Sequence, residues 1–145
     1  MDSSSGSFEG PVVVGLDGSR PSLVALRAAA DEAKCRSAPL HVLRAWTLRS
    51  ASRPPGLPPA TVPSLDEYAG WMREHTVRVV ADCLGEAEEV TVGAPRGRAV
   101  TVLLAASATA GLLVLGHRGR GGRLMLGSVA AQCVRAAECP VLVVR

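Results

Sequence analysis

Five short apolar runs punctuate the chain: Pro11–Leu16, Pro39–Trp46, Val90–Gly93, Gly111–Leu115 and Pro140–Val144. The first stops at Asp17-Gly18-Ser19, a turn signal. Runs of about four to eight apolar residues bounded by such punctuation read as buried strands. Between them the apolar period changes to that of a helix. Leu23, Leu26, Ala30 and Ala33 mark the first interval, and Leu65, Tyr68, Met72, Val79 and Cys83 the second. Ala99, Val102, Leu103 and Ala106 mark the third, and Val129, Cys133, Val134 and Ala137 the fourth. Ser19 stands where a helix cap belongs, with Pro21 in the first turn behind it. The order is β-α-β-α-β-α-β-α-β. Strict alternation predicts right-handed crossovers and a parallel sheet with helices on both faces.

One interval breaks the pattern. Leu48–Ser64 holds five prolines and no period, so it reads as a long loop, either a spacer or a lid over a ligand. The sequence shows no repeat and no internal boundary, and 145 residues suit one domain. Residues 1–10 are Ser/Gly-rich and acidic, without the basic-then-apolar order of a signal peptide. They are expected to form a disordered tail ahead of a domain spanning 11–145.

Composition narrows the class. The chain is 48% hydrophobic but only 3% aromatic, so its core is built from Ala, Val and Leu, as parallel strands covered on both faces require. No apolar run approaches the roughly 20 residues that cross a bilayer. A net charge of +3 is too small to argue for nucleic acid. Lys34 is the only lysine, and an Ala/Gly/Arg-rich composition accounts for the arginines as a set. Cys35, Cys83, Cys133 and Cys139 have no CxxC spacing and no histidine cluster. They read as small hydrophobes in a reducing cytoplasm, with no metal site and no disulfide framework.

The chemistry concentrates after the fourth strand. Leu112-Leu113-Val114-Leu115-Gly116-His117-Arg118-Gly119 is followed by Leu126-Gly127-Ser128-Val129. A buried strand, a glycine-rich loop and a serine at a helix start make a phosphate cradle. Glycines permit tight turns and close approach, and free N–H groups at the positive end of a helix hold the anion. The segment is not a P-loop, because Gly122 and Gly127-Ser128 lack the lysine, and it lacks G-x-G-x-x-G. In doubly wound sheets ligands bind beyond the carboxyl ends of the strands, where the strand order reverses. If strands one and four are neighbours there, Asp17 and Gly116 line one crevice.

These residues resemble the universal stress protein family over about Pro11 to Arg145. The resemblance rests on Val12-Val13-Val14-Gly15-Leu16-Asp17-Gly18-Ser19, on Gly116-His117-Arg118-Gly119 with Gly127-Ser128, and on Cys139-Pro140-Val141-Leu142-Val143-Val144. It implies a five-stranded parallel doubly wound sheet of order 3-2-1-4-5, Rossmann-like and of the adenine nucleotide alpha hydrolase type. It also implies a homodimer and, in ATP-binding members, a loop of Gly, two residues, Gly, nine residues, then Gly with Ser or Thr. Here only seven residues, Arg120 to Leu126, separate Gly119 from Gly127.

By the resemblance, Asp17 contacts the adenosine part, although an aspartate at this turn also suits capping of the first helix. Ala45 falls where the backbone of strand two meets adenine. Gly116 and Gly119 face ribose and phosphate, and Gly127, Ser128 and Val129 form the phosphate-binding helix start, Ser128 being equally suited to a plain cap. Arg118, Arg120 and Arg123 stand in or beside the loop, either as bidentate phosphate contacts or as a solvated face. His117 either stacks or hydrogen-bonds near the ligand or is incidental to the loop. The expected ligand is ATP, with ADP and AMP as alternatives and Mg²⁺ accompanying the phosphates. No G-x-S-x-G elbow or H-E-x-x-H is present, and Asp17 is the only acid in the two motifs. The expectation is a cytoplasmic, regulatory stress-response binding module with slow ATP hydrolysis at most. Two other readings stay open: a dimeric interaction module whose shortened loop holds no ATP, and a nucleotide-transferring or hydrolysing enzyme of related fold. The last strand, Val141 to Val144 with Leu142 and Val143 between, has the apolar character of an exposed sheet edge and is the expected homodimer interface.

Overall fold

The computed structural model describes residues 8–85, 89–118 and 125–145. Strands β1 (Val12–Gly15), β2 (Leu40–Leu43), β3 (Val90–Gly93), β4 (Leu112–Gly116) and β5 (Val141–Val144) form one sheet. Every pairing is parallel, and the order is β3-β2-β1-β4-β5, as the resemblance implied. Helices α1 (Arg20–Arg36), α2 (Leu65–Leu84), α3 (Ala99–Ser107) and α4 (Ser128–Ala136) make the crossovers. The chain moves outward from β1 to β3, then returns to place β4 on the other side of β1. The reversal therefore lies between β1 and β4, which run in register from Val12↔Leu112 to Val14↔Val114.

Alternation along the strands splits the core into two layers. Val12, Val14, Leu40, Val42, Leu112 and Val114 pack against α1 and α2, where Ala25, Ala29, Ala30 and Ala33 let α1 lie close to the sheet. Val13, Leu113 and Leu115 pack against Leu103 of α3 and against Ala130 and Cys133 of α4. Each fully buried Val or Leu contributes about 1.5–3 kcal/mol. The helix ends follow local chemistry. Ser19 caps α1, its hydroxyl accepting from Ser22 N–H at 3.3 Å. The helix stops at Ser37 in a left-handed conformation, φ 52°. At α2, Ser64 and Glu67 form a reciprocal capping box.

The second strand is shorter than the apolar run Pro39–Trp46. Regular pairing ends at Leu43↔Gly93, because Pro95 has no N–H to continue the ladder. An irregular extension persists: Arg44 N–H donates to Gly93 O at 2.9 Å, Trp46 N–H donates to Pro95 O at 3.2 Å, and Trp46 bridges Arg96. The expected N-terminal tail is only partly within the described residues. Residues 1–7 lie outside them, whereas Gly10 lies so near Gly111 that a Cβ there would sit 2.8 Å from Gly10 O. Among the described residues no helix is long and apolar enough to cross a membrane.

Candidate functional site

The two layers end differently at the carboxyl edge of the sheet. On the α3/α4 side a cavity of about 510 Å³ opens over the switch point, within the roughly 300–1,000 Å³ typical of small-molecule sites. Gly15, Leu43, Leu103 and Leu115 supply its apolar wall, with Ala45 beside Leu43. A Cβ at Gly15 would meet Leu115 Cδ2 at 3.0 Å and Leu103 Cδ1 at 3.1 Å, so glycine lets these two leucines close in over the strand.

Asp17 and Ser22 form one rim. One carboxylate oxygen of Asp17, Oδ1, accepts from Ser19 N–H at 2.8 Å, which fixes the side chain in a tight turn. Ser19, not Asp17, is the cap of α1. Asp17 is half-buried and keeps its place on the cavity wall.

The facing rim is the start of α4. Gly127 is the N-cap, and it has no side chain to satisfy the first turn. Ser128 is therefore the first helical residue and not the cap. The first intrahelical bond runs from Ala131 N–H to Gly127 O at 2.9 Å. The N–H groups of Ser128, Val129 and Ala130 precede it, and all three residues line the cavity together with Gly127. Uncapped N–H groups at the positive end of a helix attract anions. A backbone bond from Gly127 N–H to His117 O, 2.8 Å, clasps the end of β4 to the start of α4. Gly116 serves packing as well, since a Cβ there would sit 2.9 Å from the Pro21 carbonyl.

The cavity thus gathers Asp17, Ala45, Gly116, Arg118, Gly127, Ser128 and Val129. Gly119, Arg120 and Arg123 lie outside the described residues. Arg118 already engages in an interaction of its own. His117 Nδ1 is buried with no hydrogen-bond partner among the described residues. No residue of Leu48–Ser64 lines the cavity. Among the described residues β5 lies at the sheet edge and pairs only with β4. Leu142 and Val144 pack on one core layer and Val141 on the other.

Sequence reasoning did not name Gly15, Leu43, Leu103 or Leu115 as cavity residues. The signal was present for Leu43, because alternation puts it on the same face as Ala45. It also missed a polar cluster on the opposite face. Buried Arg44 meets His75 of α2, guanidinium Nη1 to Nδ1 at 3.2 Å, and the His75 ring lies 5.2 Å from Trp71. Burial, then the charges of Arg44 and Arg78, hold the His75 pKa below its ordinary value of 6.5. Burial likewise raises the Cys133 and Cys139 thiol pKa values. Among the described residues no three His, Cys, Asp or Glu side chains gather into a metal-binding group.

Sheet order and cavity together define a class: doubly wound α/β domains with a ligand pocket at the switch point. The sequence model of the Universal stress protein family matches residues 10–145. A universal stress protein of Mycolicibacterium smegmatis (strain ATCC 700084 / mc(2)155) is 37% identical over 138 residues, 92% of this chain and 47% of the relative. Universal stress protein Rv2623 of Mycobacterium tuberculosis (strain ATCC 25618 / H37Rv) is 34% identical over 145 residues, 94% of this chain and 46% of the relative. The chain spans about half the length of these curated relatives. Among solved structures, UspA from Lactobacillus plantarum superposes with TM-score 0.73 at 22% identity, covering 96% of this chain and 99% of that one. A universal stress protein crystallised in complex with cAMP gives TM-score 0.62 at 30% identity, covering 96% and 99%. The chain belongs to the universal stress protein family.

Proposed function

We propose that the cavity binds an adenine nucleotide and that the protein is an ATP-responsive regulatory module. The observation that carries this reading is the uncapped start of α4, Gly127 to Ala130, facing the Asp17 turn across one cavity. In this reading Asp17 contacts the adenosine part, the Ala45 backbone meets the base, Gly116 faces ribose and phosphate, and Gly127, Ser128 and Val129 receive the phosphates. Gly119, Arg118, Arg120 and Arg123 add to the phosphate side. The structural relative at 30% identity that carries cAMP supports an adenine nucleotide as the ligand class. Mg²⁺ enters on the phosphates of ATP. Four free cysteines support a reducing cytoplasm as the setting.

The test is to denature the purified protein and identify any released nucleotide by chromatography, then to titrate ATP, ADP and AMP by calorimetry. Stoichiometric nucleotide, or saturable binding of an added one, is the expected result. Neither would mean that the seven-residue interval has disabled the site and that the chain is an interaction module.

We also propose a homodimer through the edge of β5. Val143 is half-buried at that edge, and unpaired strand edges invite a second copy. Val143→Arg together with Val141→Arg is expected to give a monomer by light scattering. A dimer that survives both places the interface elsewhere.

A further inference from the structure

A second depression, about 660 Å³, is lined by Thr47, Leu48, Arg49, Arg96, Gly97 and Arg98. Its frame is backbone. Trp46 bridges Arg96, and Gly97 N–H donates to Trp46 O at 2.8 Å. Thr47 O accepts from the N–H groups of Ser50 and Ala51 at 3.0 and 2.9 Å, which holds the turn that carries Arg49. Three exposed arginines therefore line one groove, and among the described residues no carboxylate lines it. Among the described residues none of the three is in an ion pair.

A further observation points the same way. Arg98 is also the N-cap of α3 and makes no side-chain capping bond. A cation is unfavourable at the positive end of a helix. Local conflicts of this kind concentrate at functional positions, where a bound group relieves them.

We propose that this groove is a second anion site, which takes the phosphate group of a small phosphorylated molecule. Guanidinium forks match phosphate oxygens bidentately, which a row of lysines would not do. The site is separate from the nucleotide's own phosphates, which the reading above gives to α4. The groove instead adjoins the Ala45 and Ala99 side of the cavity, through Thr47 and Arg98. It does not depend on the nucleotide reading.

Pyrophosphate is the probe. It is titrated by calorimetry into the full chain, with and without saturating AMP, at low ionic strength because exposed charges are screened by salt. One equivalent is expected to bind the groove when AMP saturates the cavity at the α4 start. The combined variant Arg49→Gln, Arg96→Gln and Arg98→Gln is expected to weaken it by about tenfold or more, while the melting temperature and AMP binding stay unchanged. Absence of pyrophosphate binding, its complete displacement by AMP, or undiminished binding by the variant in the presence of AMP would overturn the proposal. So would a poly-glutamate peptide or a single-stranded oligonucleotide that binds more tightly through the same arginines, since the occupant would then be a macromolecule. A chain that binds pyrophosphate through these arginines but binds no ATP, ADP or AMP refutes the nucleotide reading and leaves this site standing.

Discussion

The two faces of the sheet meet its carboxyl edge with opposite solutions, and one strand supplies both. On the α2 side, Arg44 and Trp46 leave β2 and fill the space: Trp46 is 2% exposed, Met72 above the sheet 1% and Thr76 none. Trp46 donates its indole N–H to Ala94 O at 2.8 Å and lies 6.2 Å from the Tyr68 ring. On the α3 side the alternate residues are Leu43 and Ala45, and the cavity opens there. The period-2 alternation of a strand therefore decides which face is a pocket and which is core. Large aromatic side chains close one face, and a single methyl group leaves the other open.

That contrast can be broken most strongly from the filled face. Trp46→Ala removes a buried indole and leaves Ala94 O without its donor. A loss of about 3–5 kcal/mol in urea unfolding is expected, far above any effect at Ala45 on stability. A loss under 1 kcal/mol would show that the edge is not packed as described. The complementary change fills the open face. Ala45→Trp is expected to lower adenine-nucleotide affinity by about a hundredfold, roughly 2.7 kcal/mol, in a calorimetric titration. Retained affinity would move the ligand out of this cavity.

Ser128→Pro tests the rim alone. Proline is tolerated at the first helical position, and Gly127 is already extended at ψ 157°, as a residue before proline must be. The helix is preserved while one N–H and the hydroxyl disappear. Nucleotide affinity is expected to fall by about tenfold, since a hydrogen bond to a charged group is worth about 1.5–3 kcal/mol. The melting temperature should scarcely move. A variant that binds as tightly as the parent would remove the α4 start from the site.

The smallest effect concerns acid. His75 is held below its ordinary pKa of 6.5 by burial, by Arg44 and by Arg78. The unfolded chain therefore binds the proton more readily than the folded one, and stability falls as pH drops below about 6.5. Protonation would also remove the Nδ1 lone pair that accepts from Arg44. His75→Gln is expected to flatten the melting temperature between pH 7.5 and pH 5 relative to the parent. An equal slope in both proteins assigns the acid sensitivity to other groups.

Much of this architecture was legible because it is written in local periods. The apolar runs marked all five strands, and Ser19 with Pro21 announced α1 before any contact was known. The Asp17 turn and the Gly116–Ser128 segment pair wherever strands one and four are neighbours. What stayed hidden depends on which face a residue takes and on distant partners. Arg44 and His75 are 31 residues apart, and no spacing rule joins them. Arg49 and Arg96 share a groove only because Pro95 ends the β2–β3 ladder and the irregular extension folds them together. The capping role passed from Ser128 to Gly127 for a subtler reason, since either residue fits a helix entry and only the backbone angles distinguish them.

The clasp between His117 O and Gly127 N–H has a consequence for how this chain tolerates changes of loop length. It closes the segment from Arg118 to Leu126 at its base, so the end of β4 and the start of α4 are tied to each other directly. The entropy of closing a loop grows only with the logarithm of its length, and two residues in about ten change it by a few tenths of a kcal/mol. Insertions and deletions inside the clasp are therefore nearly neutral for folding stability, whatever they do to the ligand. The tie acts as a hinge pin, and it fixes the start of α4 to the end of β4 independently of the length of chain between them.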